Sequence, residues 1–173
     1  VDGGLYEKVP EPDIVLAQHV MPLRTGKIAV KAGTMVAAAD SFEVTVFGRG
    51  GHGSMPQLCI DPVVLAAHIV VRLQGIVARE VDPQDSAVVT VGSLQAGQTE
   101  NVIADHAILK VDVRTQNTET RDKVIKAIRR IVEKVCYMLY SVRCCQTFNT
   151  NCNLLKSARG FLYSYLAILA YHS

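Results

Sequence analysis

AVVTVGSLQAGQTENVIADHAILKVDVRT, residues 87–115, is the stretch from which the fold is read. Ala87–Leu94 is rich in β-branched residues and reads as a strand that ends in the glycine-flanked loop Gln95–Gln98. Over residues 106–115, Ala107, Leu109, Val111 and Val113 share one side, and Lys110, Asp112 and Arg114 share the other. That alternation is a half-buried strand. Upstream, Asp61-Pro62 sets an N-cap and a first-turn proline for a helix running to about Glu80. Its apolar stripe is Ala66, Ile69, Val70, Leu73, Ile76 and Val77, with Val64, His68, Arg72 and Arg79 on another face. Further upstream, Phe42, Val44 and Val46 alternate with Glu43 and Thr45 in a strand beginning at Ser41. Downstream, Thr118 is predicted to cap a second helix carrying Val124, Ile125, Ile128, Ile131, Val132 and Val135 at helical period. The order strand–helix–strand–strand–helix needs one closing strand, for which Ser141–Phe148 is the candidate. The result is an α+β ferredoxin-like split βαβ sandwich: a four-stranded antiparallel sheet with two helices on one face. Lys110, Asp112 and Arg114 then point to the open face, where ligands are expected.

The 173 residues are 49% hydrophobic, 20% charged and 6% aromatic, enough for one ordinary domain with a true core. This excludes a disordered tail, a collagen-like repeat and a small disulfide knot, and argues against two sizeable domains. Formal charge is +2, too small to imply a polyanion partner. Residues 1–135 hold 15 of the 18 Lys/Arg and all 16 Asp/Glu, whereas residues 136–173 carry Arg143, Lys156 and Arg159 with no acid. Four of five cysteines also lie there: Cys136, Cys144, Cys145 and Cys152. The odd count and the lack of a secretory pattern set the expectation of reduced thiols and a cytoplasmic setting. Cys144-Cys145 lacks zinc-knuckle spacing. The apolar run Phe161–Tyr171 is shorter than the roughly 20 residues a bilayer requires, so no membrane partner is expected. Residues 1–40, punctuated by Pro10, Pro12 and Pro22, read as loops around one apolar strand, Asp13–Val20, that carries His19.

Gly48–Pro56 (GRGGHGSMP) is the segment richest in chemistry. Gly48, Gly50 and Gly53 fit GxGxxG, but a dinucleotide site needs a helix to open at once. Here Pro56 intervenes and the helix waits until Asp61. The alternatives are a glycine-rich turn with an incidental His52, or a loop whose glycines admit a ligand close to the backbone while His52 supplies a proton or positive pole. His19, at a strand end, is either a hydrogen-bonded structural residue or a metal ligand in need of partners. His68 sits on a polar helix face; His106 and His172 have no context. Asn101 reads as a turn residue. Arg114 is either a carboxylate fork or one half of a cross-strand ion pair.

Together, FGRGGHGSMP (47–56), DPVVLAAHIVVRLQGIVARE (61–80) and DPQDSAVVTVGSLQAGQTENVIADHAILKVDVRT (82–115) resemble the lid, or dimerisation, domain of metal-dependent amidohydrolases. This metallopeptidase-like group includes aminoacylases, hippurate hydrolases and auxin-conjugate hydrolases, and the resemblance is closest to fungal members. It covers about residues 10–135. It implies a lid at 41–135, a fragment of the catalytic domain at 1–40, and an aberrant tail at 136–173. It implies further that the lid dimerises and that His52 reaches a neighbouring subunit's active site to steady the oxyanion. Asn101 and Arg114 fall on substrate-contacting positions, and His19 on a metal ligand. The family's GCGH motif, Glu-Glu pair and last His ligand have no match in this chain.

The resemblance thus implies part of a hydrolase acting on the amide bond of N-acyl amino acids or small peptides. Two divalent ions (zinc, manganese or cobalt) would serve the intact enzyme and would not be held stably by this chain alone, which is expected to be inactive. The implied partners are a small-molecule substrate and a second copy of the chain. The rival reading is a non-catalytic dimerisation module. A nucleic-acid partner is disfavoured because HAILKVDVRT has no aromatic to stack on bases.

Overall fold

In the computed structural model, residues 4–10, 12–14, 16–140, 146–151 and 167–168 are described. In chain order the elements are helix α1 (Leu5–Lys8), strands β1 (Ala17–Gln18), β2 (Ala38–Phe47) and β3 (Gly51–His52), a 3-10 turn (Pro56–Leu58), helix α2 (Pro62–Arg79), strands β4 (Ala87–Ala96), β5 (Val102–Ile103) and β6 (His106–Thr115), helix α3 (Thr118–Tyr140), and strands β7 (Gln146–Asn151) and β8 (Ala167–Ile168). They fall into two compact units, one of Ala38–Asn153 and one of Val1–Ala37 with Leu154–Ser173.

The larger unit is a four-stranded antiparallel sheet in the order β4-β6-β2-β7. Each strand runs opposite to its neighbours, and the ladder of β2 on β6 is unbroken from Ala38 opposite Thr115 to Phe47 opposite His106. With β3 and β5 set aside as a separate ribbon, this is the ferredoxin-like order. The closing strand exists, described over Gln146–Asn151, and runs three residues beyond the expected end at Phe148; residues 141–145 lie outside the described residues. Between β4 and β6 the register slips at Gly92, so this glycine forms a bulge in the edge strand.

One sheet face is apolar and both helices cover it. Phe42, Val44 and Val46 from β2, and Ala107, Leu109, Val111 and Val113 from β6, are buried against Leu65, Ile69, Leu73 and Ile76 of α2 and Val124, Ile128 and Val132 of α3. Each such aliphatic side chain contributes about 1.5–3 kcal/mol through burial. The buried stripe of α2 includes Leu65 and leaves Val77 exposed, a small rotation from the expected face. Asp61 caps α2 as expected: its Oδ1 accepts from the N–H groups of Val63 (2.8 Å) and Val64 (3.3 Å).

The cap of α3 falls one residue before Thr118. Asn117 Oδ1 accepts from Thr120 N–H at 2.7 Å, and Thr118 is the first helical residue. Asn117 and Thr120 also both donate to Asp85, which ties the loop after α2 to the start of α3. At the same end Arg121 clasps buried Asp40 with two bonds of 2.6 and 2.7 Å, joining α3 to β2.

In the smaller unit, β1 pairs in parallel with β8, Ala17 opposite Ala167 and Gln18 opposite Ile168. Among the described residues of the expected strand Asp13–Val20, these two are strand. His172 and the remainder of Phe161–Tyr171 lie outside the described residues.

Candidate functional site

The chain leaving β2 is held by its own backbone. Gly48 N–H donates to the Asp105 carbonyl at 2.7 Å, and Arg49 and Ile60 exchange two backbone bonds of 2.9 Å. Strand β3 then pairs with β5, Gly51 opposite Ile103 and His52 opposite Val102. Gly53 N–H donates to the Asn101 carbonyl at 2.8 Å, and Gly50 N–H to Asp105 Oδ1 at 2.9 Å. The glycines therefore serve first to let these segments pack closely. A Cβ on Gly48 would strike the Ile60 carbonyl, one on Gly50 would come within 2.5 Å of the Ile103 carbonyl, and one on Gly51 within 2.7 Å of Cys59 Sγ. Gly48 is pressed against the Ile60 backbone, Gly51 against the Cys59 side chain, and Gly50 and Gly53 against the backbone of residues 101–104, so each stands where a side chain has little room. The helix after this loop opens only at Pro62, beyond the 3-10 turn, and not directly from the glycines as a dinucleotide loop requires.

This ribbon brings His52 and Asn101 together. Both side chains are exposed. Ser54 lies two residues on, its N–H 3.2 Å and its Oγ 2.8 Å from His52 Nδ1. Asn101 is fixed through its main chain, leaving its amide directed at solvent. An open cleft of about 400 Å³ adjoins them, lined by Gly53, Asp61, Gly97, Glu100, Val102 and Ala104.

Arg114 is elsewhere. It sits opposite Ala39 and Val88, whereas the ribbon adjoins the His106 end of β6. Residues 106 to 114 of an extended strand span roughly 26 Å. Arg114 Nε donates to Asp112 Oδ2 at 2.8 Å, so its ion pair is within one strand and not across strands. Lys110, Asp112 and Arg114 do share the open face, since their neighbours Leu109, Val111 and Val113 are buried on the other.

His19 belongs to the smaller unit. It is exposed, and its Nδ1 lies 2.7 Å from the Val20 carbonyl. Among the described residues, no three His, Cys, Asp or Glu side chains come together as a metal-binding group. The residues at His19 thus do not fit a metal centre by themselves, and no step is routed through one. His68 is exposed on α2, and His106 faces Phe47 across the sheet. Ser54 and Asp105 are missed by reading residue types alone. A serine two residues after a histidine is the signal that marks the first.

A family model described as the peptidase dimerisation domain (M20_dimer) matches residues 37–137. The chain is 42% identical over 137 residues to the hippurate hydrolase of Campylobacter jejuni, covering 79% of this chain and 34% of that protein. It is 42% identical over 129 residues to the N-acetyldiaminopimelate deacetylase of a Geobacillus species, covering 74% of this chain and 34% of that one. Among solved structures, a candidate aminohydrolase of methicillin resistant Staphylococcus aureus aligns with a TM-score of 0.76 at 26% identity, over 99% of this chain and 53% of that chain. The YXEP protein of Bacillus subtilis, a dinuclear metal binding peptidase from the M20 family, aligns with a TM-score of 0.58 at 26% identity, over 99% and 38%. The chain spans about a third of the length of the curated relatives it matches.

Proposed function

We propose, for a chain that belongs to the M20 peptidase dimerisation domain family, a role as the lid of a metal-dependent hydrolase that cleaves the amide bond of N-acyl amino acids or small peptides. What supports this reading is the β3–β5 ribbon, which fixes the backbones of exposed His52 and Asn101 in neighbouring positions through main-chain bonds at Val102 and Gly53. Two such groups suit the carbonyl oxygen of a scissile amide, where negative charge develops during attack by water. Preorganised donors at that point are worth several kcal/mol of barrier. Arg114 suits the free carboxylate of an N-acyl amino acid, its fork able to exchange Asp112 for substrate. Divalent zinc, manganese or cobalt would activate the attacking water. His19 is the one candidate ligand in this chain, and the remaining ligands would come from other parts of the enzyme. Among the described residues Cys59 and Cys136 form no disulfide, which suits a cytoplasmic setting.

The separation of Arg114 from His52 favours a homodimer. A substrate a few bonds long cannot touch both ends of one sheet. Arg114 of one protomer and the His52–Asn101 pair of its partner can meet at one substrate. Helix α2 offers the contact surface. Its core stripe faces the sheet, while Val64 and Val71 stand exposed on the other side beside the polar His68 and Arg72. Exposed apolar side chains of this kind suit a covering partner. The neighbour of this helix, β4, is an edge strand with an unpaired side. A second copy, joining edge to edge with α2 flanking, satisfies both.

The test is to graft residues 37–137 in place of the matching segment of the Campylobacter jejuni hippurate hydrolase. The graft should sediment as a dimer and hydrolyse hippurate, and Val71→Asp should shift it to monomer with loss of turnover. A metal-loaded dimer without turnover would overturn the catalytic reading and leave a dimerisation module.

A further inference from the structure

The ring of His52 has two nitrogens, and among the described residues only Nδ1 is engaged. Ser54 places two groups on Nδ1, its backbone N–H at 3.2 Å and its hydroxyl at 2.8 Å. A hydroxyl can donate or accept, so by itself it leaves the imidazole tautomer open. A backbone N–H can only donate. A proton on Nδ1 would oppose that N–H, so Nδ1 must hold its lone pair towards Ser54 and the ring proton must reside on Nε2. The hydroxyl follows suit and donates to the same nitrogen. We infer that Ser54 is a positioning residue that fixes neutral His52 as its Nε2–H tautomer, so that the ring presents a hydrogen-bond donor outward.

The loop supports the assignment. Ser54 cannot swing away freely, because Met55 N–H bonds the His52 carbonyl at 2.9 Å and closes a turn around it. On the other side, Gly53 is tied to Asn101 and His52 is paired with Val102. The ring therefore meets Ser54 inside a frame held at both ends. This inference rests on the proposed role of His52: an outward Nε2–H can donate to a developing oxyanion while the ring stays neutral. The Nδ1–H tautomer would present a lone pair there and repel it.

The test is made on the full chain labelled with nitrogen-15 histidine, at a pH above the ordinary imidazole range of about 6.5. His52 is assigned by the loss of its signals in His52→Gln. Exposed His68, which has no bond to its ring among the described residues, is the internal reference. His52 should show an unprotonated Nδ1 and a protonated Nε2, with its Nδ1–H fraction several-fold below that of His68. Ser54→Ala keeps the N–H but loses the hydroxyl, and should raise that fraction by roughly fivefold, the change one net hydrogen bond supplies. Ser54→Asp offers an acceptor, and should move the proton to Nδ1. A protonated Nδ1 in the parent chain, or a His52 ratio equal to that of His68 and unmoved by either substitution, overturns the inference. The tautomer is read without turnover. If His52 proves irrelevant to hydrolysis in the graft while the nitrogen signals behave as stated, the catalytic reading fails and the positioning stands.

Discussion

At the Arg114 end of the sheet, side chains bond to side chains. At the His52 end, most bonds run backbone to backbone, with the side chains of Asp105, Ser54 and His52 the exceptions. Around Arg114 the chain holds Asp40 with Arg121, Asp112 with Arg114, and Asp85 with Asn117 and Thr120. Around His52 it holds Gly48 with Asp105, Arg49 with Ile60, and Gly53 with Asn101. The first arrangement consumes polar side chains in holding the fold. The second leans on the main chain, so His52 and Asn101 stay exposed although the loop beneath them is tightly fixed. A site that must meet a ligand with preset donors is better built in the second way.

The largest effect should come from His52→Ala in the hippurate hydrolase graft. Turnover should fall about 10²–10³-fold, with the melting temperature unchanged. A fall in melting temperature would mean that His52 holds the fold after all and would erase the contrast between the ends. Next, Asp40→Ala removes the buried carboxylate that Arg121 grips with two short bonds and should cost about 3–5 kcal/mol, read by urea unfolding. Turnover per folded molecule in the graft should stay the same. Gly50→Ala should cost less, about 1–3 kcal/mol, because a methyl must push against the Ile103 carbonyl. Unlike Asp40→Ala, it should lower turnover too, since the ribbon carries His52. The smallest change in stability should follow Arg114→Ala, within about 0.5 kcal/mol, since its pair with Asp112 is largely solvent-exposed. In the graft the same variant should raise KM for substrates with a free carboxylate and matter less for their amides.

The period of the apolar residues was enough to locate both long helices and the three strands 38–47, 87–96 and 106–115 within a few residues. Those elements are decided by neighbours in sequence: alternation in β6, the Asp61 cap, the stripe of α3. What alternation does not carry is partnership at a distance. Nothing near Gly50 announces that Ile103 lies against it, and without that contact its glycines read as room for a ligand. Asp40 looks like any strand-end acid until Arg121 is placed above it. The α3 boundary was misread for a more local reason. Asn117 and Thr118 can each cap a helix, and the choice fell to Asn117, which also reaches Asp85. His52 and Asn101 were legible through motif resemblance, and their adjacency only through β3 and β5.

The sheet order has a consequence for synthesis. Strand β2 ends at residue 47, yet its two flanking partners begin at residues 106 and 146. At about 5–20 residues per second on a ribosome, its first partner is several seconds behind it. Through that interval Phe42, Val44 and Val46, which end in the core, have no sheet to join. Helix α2 is made before either partner, and can shelter them only loosely. The middle of the sheet is thus translated first and enclosed last, so the nascent chain is most exposed to mispairing before residue 115 is made.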